Sequence, residues 1–233
     1  MASDMLIVEK PLQLKGQQPI AHGNRRAIYP VEDHPGILVK VLLSASAQRR
    51  VMPAKRLLRQ LFPSLAYRFL FREYACYLRA KIAQSDDSGP LPISELRGLV
   101  QTDLGLGMIV ENVCDRDGNP GPTLRRLLAS GAFDARHLEL LNNFVRRIYT
   151  LHIRANDLNP GNIVLGHRGG VEQFVLIDGL GDSHLIPVRS WARWMNTRSL
   201  NRRFAALTNP GRLVWDVGTR EFRLPQSREG TAL

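Results

Sequence analysis

The stretch that most constrains this chain is Asn156-Asp157-Leu158-Asn159-Pro160-Gly161-Asn162-Ile163-Val164-Leu165, answered downstream by Leu176-Ile177-Asp178-Gly179. Pro160-Gly161 is turn chemistry, so Asp157 and Asn162 belong to a loop. The two apolar runs that follow, Ile163 to Leu165 and Phe174 to Ile177, flank Gly166-His167-Arg168-Gly169-Gly170 and read as a hairpin. A hairpin sets its open ends side by side, so Asn162 and Asp178, sixteen residues apart, are expected at the two mouths of one ribbon. An Asp beside a hydroxyl can orient it and accept its proton. An amide oxygen and a second carboxylate are hard ligands suited to Mg²⁺, which usually binds through one or two carboxylates plus phosphate. The same residues also suit a plainer role, an Asx-rich turn between a helix and a hairpin.

A chain of 233 residues can bury a core as one domain or as one domain of two lobes. No apolar run is long enough to cross a bilayer, and Met1 to Lys10 lacks the basic flank and apolar centre of a secretion signal. The expected location is therefore cytoplasmic. Cys76 and Cys114 fit neither a disulfide framework nor a metal spacing and read as buried thiols. The net charge of +11 is uneven: Ser44 to Ile82 and Arg189 to Leu233 carry +8 and +6, leaving the remainder near −3. Such surfaces suit an anionic partner. They equally suit plain solubility, with arginine stems lying over apolar surface.

From the start, Pro19 to His22 and Ala27 to Tyr29 read as strands around a Gly23-Asn24-Arg25-Arg26 turn. Gly36 to Leu42 is almost continuously apolar, as in a central strand, with Lys40 its lone charge. A lysine there must reach water or find an anion. Ser44 to Ser64 reads as a basic insert with a short helix near Ala54 to Leu61. Tyr67 to Ala83 is a helix whose apolar residues Tyr67, Leu70, Phe71, Tyr74, Leu78 and Ile82 recur at helical steps. Glu73 is the only acid between Asp33 and Asp86, so it is the available partner for Lys40; a surface pair with a neighbouring arginine is the alternative.

Leu96 to Thr102 and Gly107 to Val113 form a hairpin, and Cys114 to Pro122 is a connector. The acids of Asp115-Arg116-Asp117-Gly118-Asn119 indicate a turn, because no Glu closes a Ca²⁺ loop. A short helix spans Thr123 to Ser130 with Gly131 as its stop. Asp134 caps a longer helix to about Ile153, with Leu138, Leu141, Phe144, Val145, Ile148 and His152 on its buried face. Ser190 to Leu207 is expected to be helical, with Trp191, Trp194, Leu200 and Phe204 on its apolar face. Arg212 to Val217 suggests a strand, followed by a loose end.

Asp157, four residues, Asn162, a strand and Asp178-Gly179 resemble the catalytic and metal-binding loops of protein kinases. Ala155 and Asn156 replace the usual His and Arg, and Gly179 replaces Phe. The front of the chain resembles a kinase small lobe, and the ordered set Gly23, Lys40, Glu73, Asp157, Asn162, Asp178 follows the kinase order. His22-Gly23-Asn24-Arg25-Arg26-Ala27-Ile28-Tyr29-Pro30, Phe71-Arg72-Glu73-Tyr74, Asp157 to Asn162 and Ile177 to Gly181 look like the YrbL family, small bacterial kinase-like proteins linked by name to the PhoP regulatory network. The resemblance covers roughly residues 18 to 185.

It implies an α+β, minimal two-lobed kinase-like fold in a single domain: an antiparallel-sheet lobe over 18–113, a reduced helical lobe over 114–208 and a tail over 209–233. It also implies ATP and Mg²⁺ as cofactors. Lys40 would hold the phosphates under the Gly23 turn and be oriented by Glu73. Glu111 to Val113 would bond adenine through the backbone, Asn162 and Asp178 would hold the metal, and Asp157 would orient the acceptor hydroxyl. Absence of Arg at position 156 implies no activation-loop phosphate to dock. Two functions follow: a phosphotransferase moving the ATP γ-phosphate to an unidentified hydroxyl acceptor, or a catalytically weak pseudokinase-like regulatory module binding an anionic partner. Nucleic-acid binding is disfavoured, because basic charge is not interleaved with aromatics on a recognisable pattern.

Overall fold

The computed structural model describes residues 11–22, 26–42, 63–85, 89–181, 193–208 and 212–225. Gly23, the short helix expected near 54–61, Trp191 and the end of the tail lie outside them. The chain is α+β and divides into two compact units, Met1–Tyr77 with Ser94–Asn112, and Leu78–Ile93 with Val113–Leu233. Among the described residues no helix is long and apolar enough to cross a membrane.

The first unit is an antiparallel sheet of β1 (Ala21–His22), β2 (Arg26–Pro30), β3 (Ile37–Leu42), β4 (Leu96–Thr102) and β5 (Gly105–Glu111), in the order β1-β2-β3-β5-β4. The near-continuous apolar β3 is the central strand, as expected of a strand covered on both sides. Its side chains alternate between two cores. Ile37, Val39 and Val41 pack with Leu14, Ala27, Tyr29, Val100 and Ile109. Leu38 packs with Leu70, Leu96, Met108 and Val110 on the face covered by helix α1 (Pro63–Ala83). Gly107 permits the close approach of β3 and β5, since a Cβ there would lie 2.7 Å from Val39 Cγ1.

Periodicity found part of the buried face of α1: Leu70 is in the core beneath the sheet, and Tyr67 and Tyr74 pack against it. Phe71, Leu78 and Ile82 are 53%, 43% and 83% exposed, while Leu70, Glu73, Cys76 and Ala80 are buried. Glu73, whose ion pairs are described below, shares the buried side of the helix with Leu70.

The second unit holds α2 (Leu124–Ser130), α3 (Ala135–Thr150), the hairpin β6 (Ile163–Arg168) and β7 (Val171–Leu176), α4 (Arg193–Ala206), and the hairpin β8 (Val214–Asp216) and β9 (Glu221–Arg223). Thr123 caps α2 by accepting from Arg126 N, and Gly131 closes it in the left-handed region. Asp134 caps α3. Backbone and side-chain hydrogen bonds from His137 hold the Asp134 carboxyl below its usual value of 3.8. His152 is exposed, at φ 49°, beyond the end of α3 and not on its buried face. Cys114 is half-buried, and the Asp115 turn closes through amides of Asp117 and Asn119.

The core of this unit joins Tyr149, Phe204, Trp215 and Phe222, with Phe204 stacked 5.2 Å from Trp215 and edge-on to Phe222. Burial pushes the Tyr149 hydroxyl up to about 12, against the opposing pull of Arg220, whose guanidinium lies 5.0 Å over the ring. Where a loose end was expected, β9 inserts Phe222 at 1% exposure and bonds Asn142 through its backbone. Trp194, expected on the apolar face of α4, is 65% exposed. Because Phe204 is fully enclosed and ringed by aromatics, Phe204→Ala should cost about 3–5 kcal/mol in urea unfolding, whereas Ile82→Ala should stay within about 0.5 kcal/mol.

Candidate functional site

Lys40 sits on the α1-facing side of β3 and donates from Nζ to Glu73 Oε1 at 3.0 Å. Arg26, first residue of β2, donates from Nη1 to Glu73 Oε2 at 2.7 Å. The register explains the meeting: Arg26 pairs with Leu42 and Ile28 with Lys40, so all lie on one face of the sheet. Lys40 and Glu73 side chains are 5% and 2% exposed, Arg26 29%. One carboxylate therefore serves two cations, one through each of its oxygens. The sequence indicated the Lys40–Glu73 pair but placed Arg26 only in the turn; the signal for its role was its position two residues before the partner of Lys40.

The segment proposed for adenine is heavily engaged by the protein itself. Glu111 N donates to Glu95 O at 3.0 Å and Asn112 N to Gly36 O at 3.0 Å. Glu111 O accepts from Ser94 Oγ at 3.2 Å, and Glu111 Oε2 accepts from Glu95 N at 3.0 Å. Val113 is buried, and its carbonyl accepts from Gly121 N at 3.0 Å. The close approach at Gly121 allows this, since a Cβ there would fall 2.0 Å from Leu165 O.

In the second unit the loop containing Asp157 is tied to the one containing Asp178. Asn156 N donates to Gly179 O at 2.7 Å, Gly181 N to Arg154 O at 3.0 Å, and Ile177 N to Asn162 O at 2.9 Å. Asn162 and Asp178 lie immediately outside the terminal β6–β7 pair, Ile163 with Leu176, at the mouths of one ribbon. Asn162 Nδ2 donates to Asp157 O at 3.1 Å and Oδ2 at 3.2 Å, so the amide nitrogen is used within the loop and the amide oxygen is the side chain's acceptor. Asp178 Oδ1 accepts from Gly179 N at 2.8 Å. Asp157 is exposed, and Asn162 and Asp178 are half-buried.

Gly179 is required here twice over. Its φ is +84°, and a Cβ would lie 2.7 Å from Asp157 Cβ and 2.9 Å from Asp157 O. Asn156, on the neighbouring loop, donates to Gly181 O and accepts from Arg203 of α4 at 3.3 Å. Asn159 caps the Pro160-Gly161 turn by accepting from Gly161 N at 2.9 Å, and Arg125 of α2 bonds the same oxygen at 3.3 Å. Arg203 and Arg125 were not anticipated; neither lies near the loop in sequence.

Among the described residues no three His, Cys, Asp or Glu side chains gather to hold a metal. A divalent ion at this loop would draw on the Asp178 carboxylate and the Asn162 amide oxygen, with phosphate and water completing its shell. That all-oxygen set fits Mg²⁺ better than a softer metal.

The family model described as PhoP regulatory network protein YrbL matches residues 12–210. The Uncharacterized protein YrbL of Escherichia coli (strain K12) and that of Shigella flexneri are each 31% identical to this chain over 136 residues, 56% of the chain. The chain spans about 63% of the length of each of these relatives. Among solved structures, the crystal structure of the BubR1 kinase domain aligns with 92% of this chain and 68% of its own, at 12% identity and a TM-score of 0.47.

A methyl group at position 179 has no room beside Asp157. Gly179→Ala should destabilise by roughly 1–3 kcal/mol. It should also raise amide hydrogen exchange at Asn156 and Gly181 while leaving the middle of the β6–β7 hairpin protected.

Proposed function

The chain belongs to the YrbL family, and from that premise we propose that it is a kinase-like regulatory module of weak catalytic power that acts by holding an anionic partner. The observation that carries this reading is the engagement of the backbone at Glu111, Asn112 and Val113. Glu111 N and O, Asn112 N and Val113 O are bonded to Glu95, Ser94, Gly36 and Gly121, so adenine would have to share or displace those groups. The unequal spread of positive charge supports the anionic partner. The family description, which places its members in the PhoP regulatory network, supports the regulatory role.

A second reading, phosphoryl transfer from ATP to a hydroxyl acceptor, is favoured by the Lys40–Glu73 pair and by the Asp157, Asn162 and Asp178 arrangement. In a two-lobed kinase-like fold, Lys40 would neutralise phosphate charge while Glu73 fixes its ammonium. Asn162 and Asp178 would ligate Mg²⁺, which would draw charge from the transferring phosphoryl group. Asp157 would hold the acceptor hydroxyl with the carboxylate oxygen that Asn162 leaves unused. This reading asks Lys40 and Asp178 to act on one nucleotide.

Thermal shift with ATP and Mg²⁺, combined with labelled-ATP turnover, separates the two readings. The module reading expects a small Mg-dependent rise in Tm, abolished by Asp178→Ala and by Lys40→Ala, and turnover far below the roughly 1–100 s⁻¹ of kinases. Turnover within that range would overturn it in favour of the transferase. No shift with ATP and Mg²⁺ would remove nucleotide from both readings.

A further inference from the structure

The outer face of α4 carries a row that the loops described above do not use. Trp194, Arg198 and Arg202 follow one another at four-residue steps and so line one side of the helix over about 12 Å. Trp194 is 65% exposed, and both arginines are exposed. With Met195 and Ser199 they line a shallow cleft of about 370 Å³.

The charge around this row is one-sided. Helix α4 contains four arginines and no acid. Among the described residues neither Arg198 nor Arg202 has an acidic partner. Asp216, an acid of the same C-terminal region, is already held by Arg223 at 2.8 Å and by the amides of Gly218 and Thr219. Burial of the indole would be favourable, yet it stands in water next to two guanidinium groups. Trp and Arg are the side chains on which binding energy concentrates when a partner covers them.

The inner face makes the row rigid. Leu200 and Phe204 are buried, Asn196 donates to Ile153 O at 3.4 Å, and Arg203 bonds Asn156. The helix is thus held against the loop that carries Asp157, and its outer side chains are presented in fixed register.

We propose that the Trp194–Arg198–Arg202 row is the docking surface for an acidic segment of a partner protein. The segment would carry carboxylates about four residues apart, which meet the two guanidinium groups, and an apolar side chain that covers the indole. The proposal rests on the regulatory-module reading and names where its anionic partner binds. A protein segment fits better than the other polyanions. The row is short and has one aromatic, whereas a membrane surface calls for several apolar side chains to insert and nucleic acid for a longer track of phosphate contacts. Contact through α4 would also bear on the Asn156 loop by way of Arg203.

Fluorescence anisotropy of the full chain tests it, with a labelled 14-residue peptide of Glu residues flanking a central Leu. Wild type should bind saturably. Trp194→Ala and the double variant Arg198→Gln/Arg202→Gln should each weaken binding at least tenfold with unchanged circular dichroism. Arg146→Gln, an exposed arginine on α3, should change it less than twofold. No saturable binding, an equal loss in Arg146→Gln, or tighter and α4-dependent binding to phosphatidylserine vesicles or a 14-nucleotide single strand would overturn it. The Mg·ATP thermal shift on the same variants keeps the two proposals apart: a lost peptide site with an intact shift leaves the nucleotide behaviour standing.

Discussion

The first unit depends on one buried carboxylate. Glu73 is 1% exposed and receives hydrogen bonds from both Lys40 and Arg26. Burying Lys40 alone in the central strand would be prohibitive, because an uncompensated buried charge costs several kcal/mol. Burying Glu73 alone would be no better. Together they let a charged residue occupy the strand that the rest of the sheet is built around, and they fix α1 in rotation as well as position. The helix buries Leu70 on the same side as Glu73 and turns Phe71, Leu78 and Ile82 outward. Arg26, 29% exposed, adds a second cation to the same carboxylate from the rim of the sheet.

The second unit solves a different problem, the holding of two loops that have no regular structure of their own. Gly179 allows the Asp178 loop to pass within van der Waals contact of Asp157, and the hydrogen bond from Asn156 N to its carbonyl closes the gap. Asn156 in turn spends its side chain on Gly181 and Arg203. The departures from the kinase pattern at positions 156 and 179 are therefore consistent structural choices. They hold the loop through contacts inside the unit.

Much of this was legible in the sequence because local chemistry decided it. The apolar continuity around Lys40 gave a central strand, Thr123, Gly131 and Asp134 marked helix ends, and turn residues between two apolar runs placed Asn162 opposite Asp178. What escaped were outcomes decided by distant partners. Phe71, Leu78 and Ile82 of α1 are exposed, on a helix whose buried side also takes in Glu73 and its partner 33 residues away. The strand Glu221–Arg223 is three residues long with charges at both ends, and it pairs with Val214–Asp216 and sets Phe222 in the aromatic core. The exposure of Trp194 follows from Leu200 and Phe204 claiming the inner face of α4. Arg125 and Arg203 reach the Asp157 region from helices whose docking no short-range pattern encodes.

The shared carboxylate is what equilibrium urea unfolding can interrogate most directly, with Glu73→Gln set beside Arg26→Met. Loss of the Glu73 carboxylate removes the acceptor shared by Arg26 and buried Lys40 and should cost about 3–5 kcal/mol. Loss of Arg26 leaves the buried Lys40–Glu73 contact in place and should cost clearly less. Near-equal stabilities of Glu73→Gln and wild type, or a larger penalty for Arg26→Met than for Glu73→Gln, would contradict the dependence of this unit on Glu73.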